Sequence, residues 1–293
     1  MTKGVVFSVI ASCLFGVLYF MPTLLRPLTS TEIFGWRILM MVPLLTGALR
    51  ATGALGQVGS LARRVRSRWV LVPVLIASAA ILGVQQWLFT WAPIHGQAMN
   101  VALGYFLMPL VMVLVGLLLF GERLSRARIV AVGFALVGVG NELFRVGALS
   151  WSTLIPALGF PAYFALRRWA KTESAGAMWF ELLLLVPFAA AFAFGGPHLG
   201  LAPTLALPLL AMGVLGGAAT LLYLLAAQHL PFNLFGLLSY LEPVLLLVVS
   251  LLLLGEQIEP REWFTYVPIW IAVGVLVLEG ALIVTGTPRS ARR

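Results

Sequence analysis

QAMNVALGYFLMPLVMVLVGLLLFGERL, residues 97–124, decides how the rest of the chain is read. After Gln97 and Asn100 it runs apolar from Val101 to Phe120 and ends on Gly121, Glu122 and Arg123, the length and flanking of a membrane-spanning helix. Pro109 lies inside the run and predicts a kink, tolerated in a membrane helix where neighbours re-satisfy the freed carbonyl. The design returns at residues 232–257, FNLFGLLSYLEPVLLLVVSLLLLGEQ. Shifting the chain by 134 residues superposes Pro109 on Pro243, Gly121 on Gly255 and Glu122 on Glu256.

The same shift brings Gly83 onto Gly217, Ala92 onto Ala226, His95 onto His229 and Gly140 onto Gly274. Nearer the N-terminus a shift of 144 superposes Tyr19 and Phe20 on Tyr163 and Phe164, and Pro43 on Pro187. Apolar windows of span length fall near 4–25, 30–49, 69–92, 97–120, 127–144, 150–169, 177–196, 207–229, 232–254 and 263–285. The expectation is an all-α integral membrane protein of ten transmembrane helices, repeated as residues 4–144 and 150–285. Five spans per repeat, an odd number, forces the two copies into opposite orientations, the inverted arrangement of secondary transporters.

Composition agrees. The 293 residues are 61% hydrophobic and 10% charged, with mean hydropathy +1.03, too apolar for one water-soluble core. The net charge of +9 lies in the short segments between apolar runs and so reads as membrane topology, with no nucleic-acid partner. Lys3, the basic connection at 50–68 (Arg50, Arg63, Arg64, Arg66, Arg68), the groups around Arg126 and Arg168, and Arg289, Arg292 and Arg293 fall on one side. That side is the cytoplasm by the positive-inside rule, which puts both termini inside and an even number of spans between them. Cys13 stands alone, which excludes a disulfide framework and a multi-cysteine metal site. The N-terminal apolar run continues through Phe20, as a first span does and a cleaved leader does not.

Several stretches resemble a known family. Gly104-Tyr105-Phe106, Pro109-Leu110 and Gly121-Glu122-Arg123-Leu124 are similar to the EamA module of the drug/metabolite transporter superfamily. Gln86-Trp87-Leu88, Trp91-Ala92, Ile269-Trp270 and Ala272 resemble its RarD branch, described as chloramphenicol-sensitivity permeases, although Gln86 replaces an expected Asn and Asn100 an acid that is common there. The resemblance implies two inverted five-helix EamA repeats, a bacterial inner-membrane location, and export of a small molecule that is chloramphenicol-like or amino-acid-like.

An ionisable side chain costs about 2.5–3.5 kcal/mol at the centre of a span, so those retained face a cavity or a partner. Arg37 and Glu242 are the deepest. Glu242, before Pro243, reads as a group that titrates or holds a cationic part of the substrate, with Arg37 as its counter-ion or an anion clamp; a purely structural ion pair is the alternative. Gln86, Trp87, Asn100 and Tyr105 on the third and fourth spans, Tyr163 on the sixth and Tyr240 on the ninth supply the aromatic area and polar points that an amphipathic solute needs. Glu181 stands where the 144-residue shift brings Arg37, and reads either as a gate or as an interfacial acid near Arg167 or Arg168. Glu122 and Glu256 end paired helices, a poor place for an acid unless it caps another helix or meets an arginine. Gly133, Gly138, Gly140, Gly274 and Gly280 suit close helix packing or a homodimer contact. His95 and His229 flank short turns.

No nucleotide-binding lysine loop is present, and neither H-E-x-x-H nor G-x-S-x-G occurs, so neither direct ATP drive nor an intramembrane enzyme is expected, and no cofactor. The reading is a secondary-active transporter working by alternating access, coupled by proton antiport. A gradient-independent facilitator or exchanger, and a non-transporting regulatory subunit, are the other readings.

Overall fold

The computed structural model describes residues 2–121, 125–147, 149–198, 205–230, 235 and 238–286. Among these the regular structure is helical throughout. The helices are α1 (Thr2–Phe20), α2 (Ser30–Ala51), α3 (Leu55–Ser67), α4 (Leu71–Trp91), α5 (Ala98–Phe120) and α6 (Arg126–Val146), then α7 (Trp151–Ala170), α8 (Ala175–Gly195), α9 (Ala206–His229), α10 (Leu241–Leu252) and α11 (Trp263–Gly286). Seven, namely α1, α2, α4, α5, α6, α8 and α9, contain stretches long and apolar enough to cross a membrane; α10 and α11 carry shorter apolar stretches, Leu241–Leu252 and Trp263–Glu279. With the composition, this makes the chain a multi-pass membrane protein.

Local sequence sets the helix ends. Thr29 and Glu32 form a capping box at the start of α2: the Glu32 amide donates to Thr29 Oγ1 at 3.3 Å and the Thr29 amide to Glu32 Oε2 at 2.7 Å. Gly121 (φ 64°) ends α5, and Gly255 (φ 70°) follows α10 in the same left-handed conformation, which a side chain would resist.

Helices from the two ends of the chain interleave. The close pairs are α2 with α8 and α9, α1 with α9 and α10, α5 with α7 and α10, α4 with α7 and α8, and α6 with α11. Missing side chains permit the tightest approaches. A Cβ on Gly35 would lie 2.5 Å from the Ala189 carbonyl of α8, one on Gly138 2.6 Å from the Thr265 carbonyl of α11, and one on Gly104 would run into the Thr153 carbonyl and Pro156 ring of α7. Gly133, Gly140 and Gly274 open onto empty space, whereas Gly138 packs against α11.

Two features go beyond the sequence reading. The connection at 50–68 holds a helix, α3, whose Val58, Leu61 and Val65 recur at helical spacing beneath the arginines; Leu61 packs against Leu75 of α4 and Ala177 of α8. In the ninth window, Ser239 and Tyr240 form a turn and α10 begins only at Leu241. Pro243 therefore lies in a first turn, where its missing N–H costs little, whereas Pro109 sits inside the continuous α5.

Candidate functional site

Arg37 and Glu242 come to the same place. Arg37 projects from the buried side of α2, is 3% exposed, and lies over the Phe89 ring of α4 with its Cζ 4.8 Å from the centroid. Its Nε and Nη1 are buried without a hydrogen-bond partner. Glu242 is half-buried in the first turn of α10, where the positive end of the helix dipole favours an acid. Tyr105 of α5 completes a triangle in which Arg37, Tyr105 and Glu242 lie within electrostatic reach of one another. Among the described residues no acid comes within 4.0 Å of the Arg37 guanidinium, so the direct ion pair with Glu242 of the alternative reading is not made.

Aromatic rings wall the site. Tyr19 of α1 packs on Phe89 (centroids 4.8 Å apart) and donates its hydroxyl to the Ala98 carbonyl at 2.9 Å. Tyr223 of α9 lies within reach of Glu242 and shares a hydrogen bond with Ser239 Oγ at 3.2 Å. Pro109, inside α5, also leaves the Tyr105 carbonyl without the usual amide four residues on. Among the described residues the result is a cation with two unfilled donors, one acid, the hydroxyls of Tyr19, Tyr105, Tyr223 and Ser239, and one released carbonyl, gathered between six helices.

Two expected lining residues, Tyr163 and Tyr240, lie elsewhere, as does Glu181. Tyr163 donates to Glu181 Oε2 at 2.7 Å, Ser78 donates to Glu181 Oε1 at 2.8 Å, and Arg167 donates to the Tyr163 hydroxyl and approaches Glu181 Oε1 at 3.7 Å. Glu181 is fully buried and lies beside Arg167, so the basic neighbour of its interfacial reading is in place while the solvent exposure of an interfacial acid is not. The α7–α8 turn wraps Arg167, with the carbonyls of Thr172 and Ser174 accepting from its guanidinium at 2.8 and 2.7 Å. Tyr240 lies within electrostatic reach of Arg128 and Glu279, which pair at 3.5 Å.

Asn100 bonds Gln97 Oε1 at 2.7 Å, and Ser152 of α7 bonds the same oxygen at 3.0 Å. Trp87 stacks on Trp151, with centroids 6.4 Å apart, and packs at a tilt against Trp91 at 5.7 Å. Gln86, half-buried beside it, lies one residue from Gln85, which is the amide that crosses to α7 by donating to the Ile155 carbonyl at 2.7 Å. Glu256 is a cap: its two oxygens accept from the Ala98 and Met99 amides at 2.8 and 2.7 Å, at the start of α5. Glu122 lies outside the described residues.

Sequence reasoning missed Phe89, Tyr223, Ser239 and Ser78, and named Arg167 only as one of two basic neighbours of Glu181. The repeat held part of the signal. The 134-residue shift carries Phe89 onto Tyr223 and Tyr105 onto Ser239, so the residues around Arg37 return around Glu242.

A multi-pass helical bundle with a buried, incompletely paired charge centre between its helices is the class of protein that moves solutes through membranes. The chain belongs to the EamA-like transporter family, whose profile matches residues 145–278. It is 36% identical over 283 residues to an uncharacterized transporter of Pasteurella multocida, covering 96% of this chain and 97% of that one. It is also 38% identical over 275 residues to the chloramphenicol-sensitive protein RarD of Pseudomonas aeruginosa, covering 92% of each. A solved crystal structure shares the fold, with TM-score 0.58 at 20% identity over 95% of this chain and 98% of its own.

Proposed function

We propose that this protein is a secondary-active transporter, with no enzymatic role, that exports a small amphipathic drug or metabolite across the bacterial inner membrane by alternating access coupled to proton antiport. The observation that carries the reading is Arg37: a buried guanidinium with two unfilled donors, above an aromatic ring and facing Tyr105 and Glu242. Such a group is costly unless something fills it, and a solute entering the site is what would. Glu242, acidic and unpaired by Arg37, is the proton-coupling residue. Ser78, Tyr163, Glu181 and Arg167 form the gate on the cytoplasmic side. Gln86, Trp87, Asn100 and Tyr240 lie along the route to the site.

The architecture in this reading is ten spans in two inverted repeats, 4–144 and 150–285, with both termini cytoplasmic. Packing supports it. Exchanging α1 with α7, α2 with α8, α4 with α9, α5 with α10 and α6 with α11 turns the pair α1–α9 into α7–α4, α5–α7 into α10–α1 and α2–α9 into α8–α4, and all six pairs occur. Local geometry supports it as well: His95 and His229 each place Nδ1 2.8 Å from the carbonyl four residues earlier.

The test is flux in proteoliposomes for a panel of amphipathic solutes, chloramphenicol and aromatic amino acids included, with and without an imposed pH gradient. Flux that accelerates with the gradient is expected. Gradient-indifferent flux would replace antiport by facilitated exchange, and absence of flux for every compound would favour a regulatory subunit.

A further inference from the structure

The arginines of α3 form a surface that the transport reading does not use. On its protein side α3 buries Leu61, 3% exposed, against α4 and α8. It also satisfies both backbone ends of the α7–α8 turn. Arg64 donates to the Lys171 and Ala170 carbonyls at 2.7 and 3.0 Å, and the Gly176 amide donates to Gln57 Oε1 at 3.2 Å. Arg63 and Arg66 project from the opposite face, about 60° apart around the helix and centred opposite Leu61, and Arg68 follows at its end. All three are exposed, and among the described residues none forms an ion pair. From 33 to 121 the chain contains no Asp or Glu, and Glu173, the acid on the adjoining turn, is not paired to them. Trp69, 77% exposed, stands next to Arg68 just before the apolar α4 begins.

We infer that α3 is a surface helix that binds anionic phospholipid headgroups through Arg63, Arg66 and Arg68, with Trp69 at the level of the headgroup boundary. Charge complementarity selects this occupant: three uncompensated guanidiniums are held beside the start of a membrane-crossing segment, and an indole at that position is an interfacial anchor. Arg64 and Gln57 face the other way, so a headgroup on the outer face leaves the grip on the α7–α8 turn intact. Bound lipid therefore steadies the turn that holds Arg167 against Glu181.

The test uses the full chain in liposomes and isolates Trp69 emission as the difference between the unsubstituted protein and Trp69→Phe. Brominated phosphatidylglycerol should quench Trp69 more strongly than brominated phosphatidylcholine at equal mole fraction. Local enrichment is expected to be on the order of fivefold per engaged arginine at low salt. The preference should vanish in R63Q/R66Q/R68Q, whose substitutions are all exposed. It should also collapse in the unsubstituted protein near 1 M salt, where the screening length is about 3 Å. Equal quenching by the two lipids, a preference that survives in the triple variant, or one indifferent to salt would overturn the assignment.

Discussion

Arg37 pits stability against use. Its contact with Phe89 contributes about 0.5–2 kcal/mol, while each buried donor left unfilled costs about 1–3 kcal/mol, so the side chain is a net burden to the empty protein. Arg37→Met should therefore raise the thermal unfolding temperature in detergent while lowering flux at least about tenfold, the loss expected when a charge-assisted hydrogen bond goes. An arginine that merely held helices together would show the reverse: lower melting and unchanged flux. Glu242→Gln should leave the protein inserted and solute exchange measurable, but flux should no longer accelerate when a pH gradient is applied. Both residues were legible from sequence because a charge inside an apolar run has no default explanation. Phe89 and Tyr223 were not, because an aromatic in a membrane helix is ordinarily packing and only a neighbouring charge distinguishes it.

Between helices, the geometry separates glycines that look alike in sequence. Gly104 faces the Thr153 carbonyl and Pro156 ring, neither of which can rotate away, whereas Gly140 faces nothing. Gly104→Val should destabilise the protein by about 1–3 kcal/mol by forcing α5 from α7, while Gly140→Val should stay within about 0.5 kcal/mol, both read from thermal unfolding. The apolar runs and their ends were legible because length, Gly121 and the Pro109–Pro243 match are local signals. The break before α10 and the helical character of α3 were not: the first depends on where a turn falls around Ser239 and Tyr240, and the second on three apolar residues hidden among arginines. Glu181 shows the same limit, since its spacing from Arg37 was visible but its enclosure by Ser78, Tyr163 and Arg167 arises from three helices meeting.

Across the whole molecule, Glu256 ties distant parts of the chain. It lies just past α10 yet neutralises the first amides of α5, so Glu256→Ala should cost about 0.5–2 kcal/mol and fray α5 at Ala98, measurable as faster amide hydrogen exchange at Ala98 and Met99. The sequence offered only that an acid at a helix end needs a reason; which helix it serves emerges when the chain is folded. That fastening has a consequence for motion. If α5 tilts, the segment around Gly255 and Glu256 must travel with it or abandon two amides in a poorly hydrated place, and α1 packs closely on the late helices α9 and α10. Under the proposed alternating access the rigid pieces are therefore mosaics, each stitched from early and late stretches of the polypeptide, and the hinge between them runs crosswise to the order in which the ribosome made them.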